Sequence, residues 1–165
     1  MDFSSIETLK AEGFKGFLPL KDFFNQGQID KDGPGVYLVL RLKNAPPDFL
    51  EIGSGGKYDG RDPNDKLPKL KAKWLKGAIV LYIGQSGGEN SGSTVGERVK
   101  LLAEFGQGCP VRHYGGRYLW QLADSQDFVI CWKTDSNLDP KILKQQLFDD
   151  FKTEFGKLPF ANLRR

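Results

Sequence analysis

Three short apolar runs, far apart in the chain, limit its fold more than any other feature. Residues 36–42 (Val-Tyr-Leu-Val-Leu-Arg-Leu), 78–84 (Ala-Ile-Val-Leu-Tyr-Ile-Gly) and 128–133 (Phe-Val-Ile-Cys-Trp-Lys) are rich in β-branched and aromatic residues. Runs of this length cannot cross a bilayer as a helix, and they suit strands buried on both faces. Asp32-Gly-Pro-Gly35 is turn punctuation at the entry to the first run. The second run is apolar throughout, which predicts a central position in the sheet.

Between and around these runs the pattern is helical. Ser4 or Ser5 caps a short helix over residues 6–10 that ends near Gly13, and a second short helix surrounds residues 20–24. Thr94 caps a helix over about 95–105, and residues 115–122 predict another. Asp139-Pro140 supplies an N-cap and a proline in the first turn of a longer helix. Its residues Leu143, Leu147, Phe151 and Phe155 repeat at i, i+4 on one face, and Gly156 ends it. From Lys43 to Lys76 the chain is rich in Gly, Pro, Asp and Lys and predicts loop, with a short strand at 49–52. The expected fold is α/β, a sandwich with a small mixed or antiparallel sheet flanked by helices, in a single domain over residues 1–165.

Composition fits that reading. At 165 residues, with 39% hydrophobic and 27% charged residues, the chain can bury a core unaided. Residues 1–9 carry Asp2 and Glu7 and lack a basic start or an apolar stretch, so a secretory signal is not expected. The corresponding expectation is a cytoplasmic protein with no membrane association, in which Cys109 and Cys131 stay reduced. One histidine and two scattered cysteines do not make a zinc site. The net charge of +3 permits nucleic-acid binding without arguing for it.

The motifs are more specific. Gly35-Val36-Tyr37 and Tyr82-Ile83-Gly84 would place two phenol hydroxyls on one surface if their strands are neighbours. Arg98 follows on the next helix, and Pro159-Phe-Ala-Asn162 closes the chain after the last one. Taken in order, these resemble the GIY-YIG nuclease superfamily over residues 35–162. Phe105-Gly-Gln-Gly108, His113-Tyr-Gly-Gly-Arg-Tyr-Leu-Trp-Gln-Leu122 and Phe155-Gly-Lys-Leu-Pro-Phe-Ala-Asn162 look like a bacterial branch of it. The resemblance implies a GIY-YIG-like domain with an N-terminal helical extension (1–33) and an insertion (43–77) between the signature strands.

It also implies a function: an endonuclease acting on the phosphodiester backbone of DNA, with RNA as the alternative, and using one divalent metal, Mg²⁺ or Mn²⁺. Tyr37 would contact the attacking water and Tyr82 the scissile phosphate. Arg98 would stabilise transition-state charge, and Asn162 would hold the metal shell or a phosphate oxygen. His113, Arg117, Lys100 and Gln85 are the candidate nucleic-acid contacts.

The sequence departs from the family where the metal-binding glutamate sits, early in the last helix. Leu143-Lys144-Gln-Gln-Leu147 occupies that stretch and puts Lys144 at the carboxylate position, and Lys is no ligand for magnesium. Asp149, Asp150 and Glu154 are the carboxylates further along the same helix. The alternative function is therefore a catalytically impaired nucleic-acid-binding module on the same fold. A small-molecule phosphate site is a third class, but the loop 84–88 has neither dinucleotide glycine spacing nor a P-loop ending. Lysines 66, 69, 71, 73 and 76, with Trp74 among them, are either a phosphate track or a solvated helix face.

Overall fold

The computed structural model describes residues 1–24, 33–88, 91–135 and 137–164. The start of the expected turn at Asp32, the C-terminal part of the 1–33 extension and positions 89–90 of the loop after residue 84 lie outside that set. In chain order the elements are α1 (Ile6–Ala11), β1 (Lys15–Pro19), β2 (Gly35–Leu40), α2 (Leu67–Lys73), β3 (Val80–Ser86), α3 (Val95–Gly106), β4 (Val129–Lys133) and α4 (Pro140–Phe155). Short 3₁₀ helices lie at Leu20–Phe24, Tyr58–Gly60, Tyr114–Gln121 and Ser125–Asp127.

Helix boundaries follow local chemistry. The Ser5 side chain accepts from the Thr8 amide, so Ser5 and not Ser4 caps α1. Thr94 and Glu97 form a reciprocal capping box on α3. Asp139 caps α4 through the Lys141 amide, and Gly156 at φ 74° ends it.

The four strands form one antiparallel sheet in the order β1-β4-β2-β3. One face packs Val36, Leu38, Leu40 and Ile83 against Leu9 of α1 and Leu143, Leu147 and Phe151 of α4. The other packs Tyr37, Val39, Ile130 and Trp132 against Val99 and Leu102 of α3 and Leu119 and Trp120 of the 3₁₀ segment. The result is a mixed α/β structure whose sheet is buried on both sides.

Several expectations are corrected. β3 is an edge strand, not a central one. It is buried because the chain end covers its open side. The Ala161 amide donates to the Leu81 carbonyl at 2.8 Å. The Asn162 side chain then both accepts from the Ile83 amide and donates to the Ile83 carbonyl, each at 2.9 Å. A carboxamide thus replaces a missing neighbouring strand. The N-terminal segment is not purely helical, since β1 pairs with β4 and completes the sheet. Residues 115–122 expected as helix form 3₁₀ turns, interrupted at Gly116 (φ −97°, ψ 15°). Residues 49–52 make a single bridge, Phe49 to Leu122, rather than a strand. β2 ends at Leu40 because the Arg41 guanidinium turns to Asp124 and to the carbonyls of Lys43 and Ala45.

The segment between β2 and β3 is pinned to the 3₁₀ residues 114–121. Buried Gln121 donates to the carbonyls of Leu50 and Asp65 and accepts from the Asp65 amide. Tyr118 donates to the Asp65 carboxylate at 2.6 Å, and Tyr114 to the Asp62 carbonyl at 3.1 Å. A long connection costs little extra chain entropy, and these bonds give this one a defined place. Among the described residues, no helix is long and apolar enough to cross a membrane.

Candidate functional site

Antiparallel pairing of β2 and β3 sets Tyr37 opposite Gly84 and Val39 opposite Tyr82. The Tyr37 ring lies across the bare Cα of Gly84, where any Cβ would collide with the ring carbon Cζ and the hydroxyl. Gly35 is tight for a different reason: its missing Cβ leaves room for the Lys133 carbonyl on β4. The glycines of both tripeptides therefore have a packing cause.

Tyr37 and Tyr82 lie on the same side of the sheet, with ring centroids 6.1 Å apart. Tyr37 is fully buried, however, and its hydroxyl is 2.9 Å from His113 Nε2. It cannot meet an attacking water in this arrangement and instead supports the layer above it. Burial pushes its pKa well above 10, with a further rise from Tyr82 that the nearby Arg98 guanidinium opposes. Tyr82, 9% exposed, is the phenol that reaches solvent. Its pKa is also raised by burial, again against the pull of Arg98.

His113 is 3% exposed and sits edge-on to Tyr82, its ring centroid 5.8 Å away. Burial first, then the charge of Arg98, lowers its pKa to about 3. It is a neutral, buried link between the two tyrosines, and it also contributes to the lining of the hollow that holds Arg98 and Arg112.

Tyr82 forms the common floor of two adjoining hollows, of about 390 and 400 Å³. One is lined by Arg117, Lys144 and Arg164, and the other by Arg61, Arg98 and Arg112; Tyr114 and Gly115 border both. Among the described residues, Asp59 is the only carboxylate lining either, and it lies 3.7 Å from Arg61. Lys144 is half-buried here, and among the described residues it has no hydrogen-bond or ion-pair partner; its ammonium lies over the Phe148 ring at 5.3 Å. Burial and then Arg98 lower its pKa. Lys73, bonded to the Asn162 carbonyl at 3.0 Å, is shifted the same way by burial and Arg117.

The remaining sequence candidates separate. Arg117 lines the cleft. Lys100 is exposed on α3 and borders neither hollow, and Gln85 falls on the opposite face of β3 from Tyr82. Asn162 borders the cleft, but its amide is committed to Ile83. Lys69 pairs with Asp65 at 3.2 Å, and Lys66 and Lys71 border a separate depression beside Glu51 and Asp62. Those lysines do not extend the cleft.

Tyr58, Arg61, Arg112, Tyr114 and Arg164 were not singled out from sequence. Arg112 and Tyr114 flank His113, a neighbourhood that could have been searched. Arg61 sits in a loop of Asp, Lys and Pro with no local signal.

The lining residues do not fit Mg²⁺ or Mn²⁺, which want several oxygen donors. Lys144 contributes an ammonium to the lining, and an ammonium is no metal ligand. Asp150 pairs with the N-terminal amine at 3.3 Å, Glu154 accepts from the Phe3 amide, and Asp149 from Gln145. All three carboxylates are engaged outside the cleft. Among the described residues, no three His, Cys, Asp or Glu gather into a metal-binding group.

Fold and site define the chain as a mixed α/β protein with a tyrosine-floored cationic cleft. Comparison with protein-family models, curated proteins and solved structures finds no match.

Proposed function

We propose that this chain is a GIY-YIG-like nucleic-acid-binding module that grips a phosphodiester backbone and has given up metal-dependent hydrolysis. The observation that carries the reading is the half-buried Lys144 ammonium, without a hydrogen-bond or ion-pair partner among the described residues, close to the guanidiniums that border Tyr82. Holding these like charges together with Asp59 as their one acidic neighbour among the described lining residues costs free energy, and an anion spanning both hollows would relieve it. A phosphodiester chain offers repeated single charges and acceptor oxygens, which suit forked Arg donors and a phenol O–H.

The GIY-YIG-like reading is supported by the order and convergence of the motif residues. Tyr37 and Tyr82 lie on neighbouring strands, Arg98 on the following helix, and Asn162 after the last helix against the second signature strand. The endonuclease implied by that resemblance would need a carboxylate where Lys144 stands.

The test is binding of labelled DNA and RNA in excess EDTA, followed by anisotropy across a salt series. Each phosphate neutralised adds about 0.7–0.9 to the slope of log K against log salt. Lys144→Ala should lower that slope by about 1 and leave the thermal transition in place. Lys144→Glu should bind more weakly still. Affinity that disappears in EDTA, or plasmid cleavage by the unmodified chain with Mg²⁺, would defeat this reading.

A further inference from the structure

We propose that the cleft accepts an unpaired strand of nucleic acid, with nucleotides in the hollows on either side of Tyr82 and one base stacked on the guanidinium of Arg61. The proposal rests on the phosphodiester reading above and adds to it the class of strand.

An unbroken series of guanidinium–ring contacts runs along one wall of the cleft. The Arg61 guanidinium carbon lies 5.5 Å from the Tyr114 ring centroid. That of Arg117 lies 4.3 Å from the same ring and 5.2 Å from the Tyr118 ring. Tyr118 is buried and held by the Asp65 carboxylate, and Tyr114 is held by the Asp62 carbonyl. The series is therefore rigid and sealed at its inner end. Its outer end is Arg61, whose side chain is 58% exposed and lies 3.7 Å from the Asp59 carboxylate. A planar guanidinium with a free face is a surface on which an unpaired base stacks without sequence preference.

Shape favours the same class. Each hollow falls within the size range of pockets that enclose small ligands, about 300–1,000 Å³. Tyr82, 9% exposed, lies at their floor. Bases of an intact duplex are already stacked and paired inside a convex rod, so reaching this floor would require unpairing them. A single strand can turn its phosphate to Tyr82 and its bases to the walls. Arg61 belongs to the segment joining β2 and β3, so the insertion would supply strand selectivity while the sheet supplies phosphate binding.

Anisotropy titrations in EDTA with oligonucleotides of about 12 residues test this. The ligands are single-stranded DNA, its duplex, the RNA of the same sequence, and an abasic DNA backbone. The normal strand should bind about tenfold tighter than duplex or abasic strand, the scale of one stacked base. Arg61→Ala should remove most of that advantage and also weaken abasic binding, since one cleft charge is lost. Arg61→Lys keeps the charge and loses the plane, so it should hold abasic binding near the parent while losing the preference for the normal strand. A preference for either DNA or RNA supports the proposal and names the natural source. Duplex or abasic strand binding as tightly as the normal strand, or Arg61→Lys retaining full selectivity, overturns it while leaving phosphodiester binding intact. Binding of none of the four overturns both readings.

Discussion

Asn162 gives the sharpest quantitative test of how this fold closes. Its carboxamide satisfies both the amide and the carbonyl of Ile83 on the unpaired side of an edge strand, at 2.9 Å each. Replacing it with Ala leaves two buried backbone groups without partners. Each such loss costs about 1–3 kcal/mol, so the pair costs about 2–6 kcal/mol. Water entering the vacated edge recovers part of this, which places the expectation at about 2–4 kcal/mol. For a chain of this size that lowers Tm by about 5–15 °C. Asn162→Asp should be no better, since it restores the acceptor but sets an oxygen against the Ile83 carbonyl. Urea titrations followed by far-UV circular dichroism give the free energy, and anisotropy gives nucleic-acid affinity. If Asn162→Ala unfolds within about 0.5 kcal/mol of the parent and loses only affinity, the clamp argument is wrong and the residue serves the ligand directly.

Other expectations follow from the same packing. Gly84→Ala should cost about 3 kcal/mol, the upper end for overpacking, because the Tyr37 ring that it strikes is fully buried and tied to His113. Much of that cost should vanish beside Tyr37→Leu in a double-mutant cycle, and purely additive costs would refute the contact. His113 titrates at about 3 folded against 6.5 unfolded. Between those values the unfolded chain holds a proton that the folded chain lacks, so stability falls as pH falls, by up to about 1.4 kcal/mol per pH unit from this group. His113→Gln should flatten the pH dependence of the urea midpoint between about pH 6.5 and 5; an unchanged slope would show that the imidazole is not held neutral. Cys131 is buried with its thiol pKa pushed up by desolvation, whereas Cys109 is half-exposed. A native-state thiol titration should therefore count one fast cysteine, and the second only on unfolding.

Strand and helix placement was legible because it depends on local chemistry. The apolar runs, the Thr94 and Asp139 caps and Gly156 each act within a few residues, so the chain itself reveals α3, α4 and three of the four strands, β2, β3 and β4. β1 was invisible: Lys-Gly-Phe-Leu-Pro has no strand pattern, and only the β4 backbone beside it makes it one. The character of residues 115–122 misled in the opposite sense, since a helical apolar pattern does not reveal that Gly115-Gly116 will bend into 3₁₀ turns.

By itself the sequence, through its resemblance to a family, pointed to two phenols, a guanidinium and an amide as one constellation and to Lys144 as the residue that departs from it. Only the tertiary structure decided their division of labour. Tyr37 and His113 sink beneath the floor, Tyr82 reaches the cleft, and Asn162 closes the edge of β3. Arg61, Arg112, Arg117, Lys144 and Arg164 come together from distant segments. The reason is physical: burial and electrostatic potential are sums over neighbours in space. Local propensity is a sum over neighbours in the chain, and it carries no record of which loop will fold across which strand.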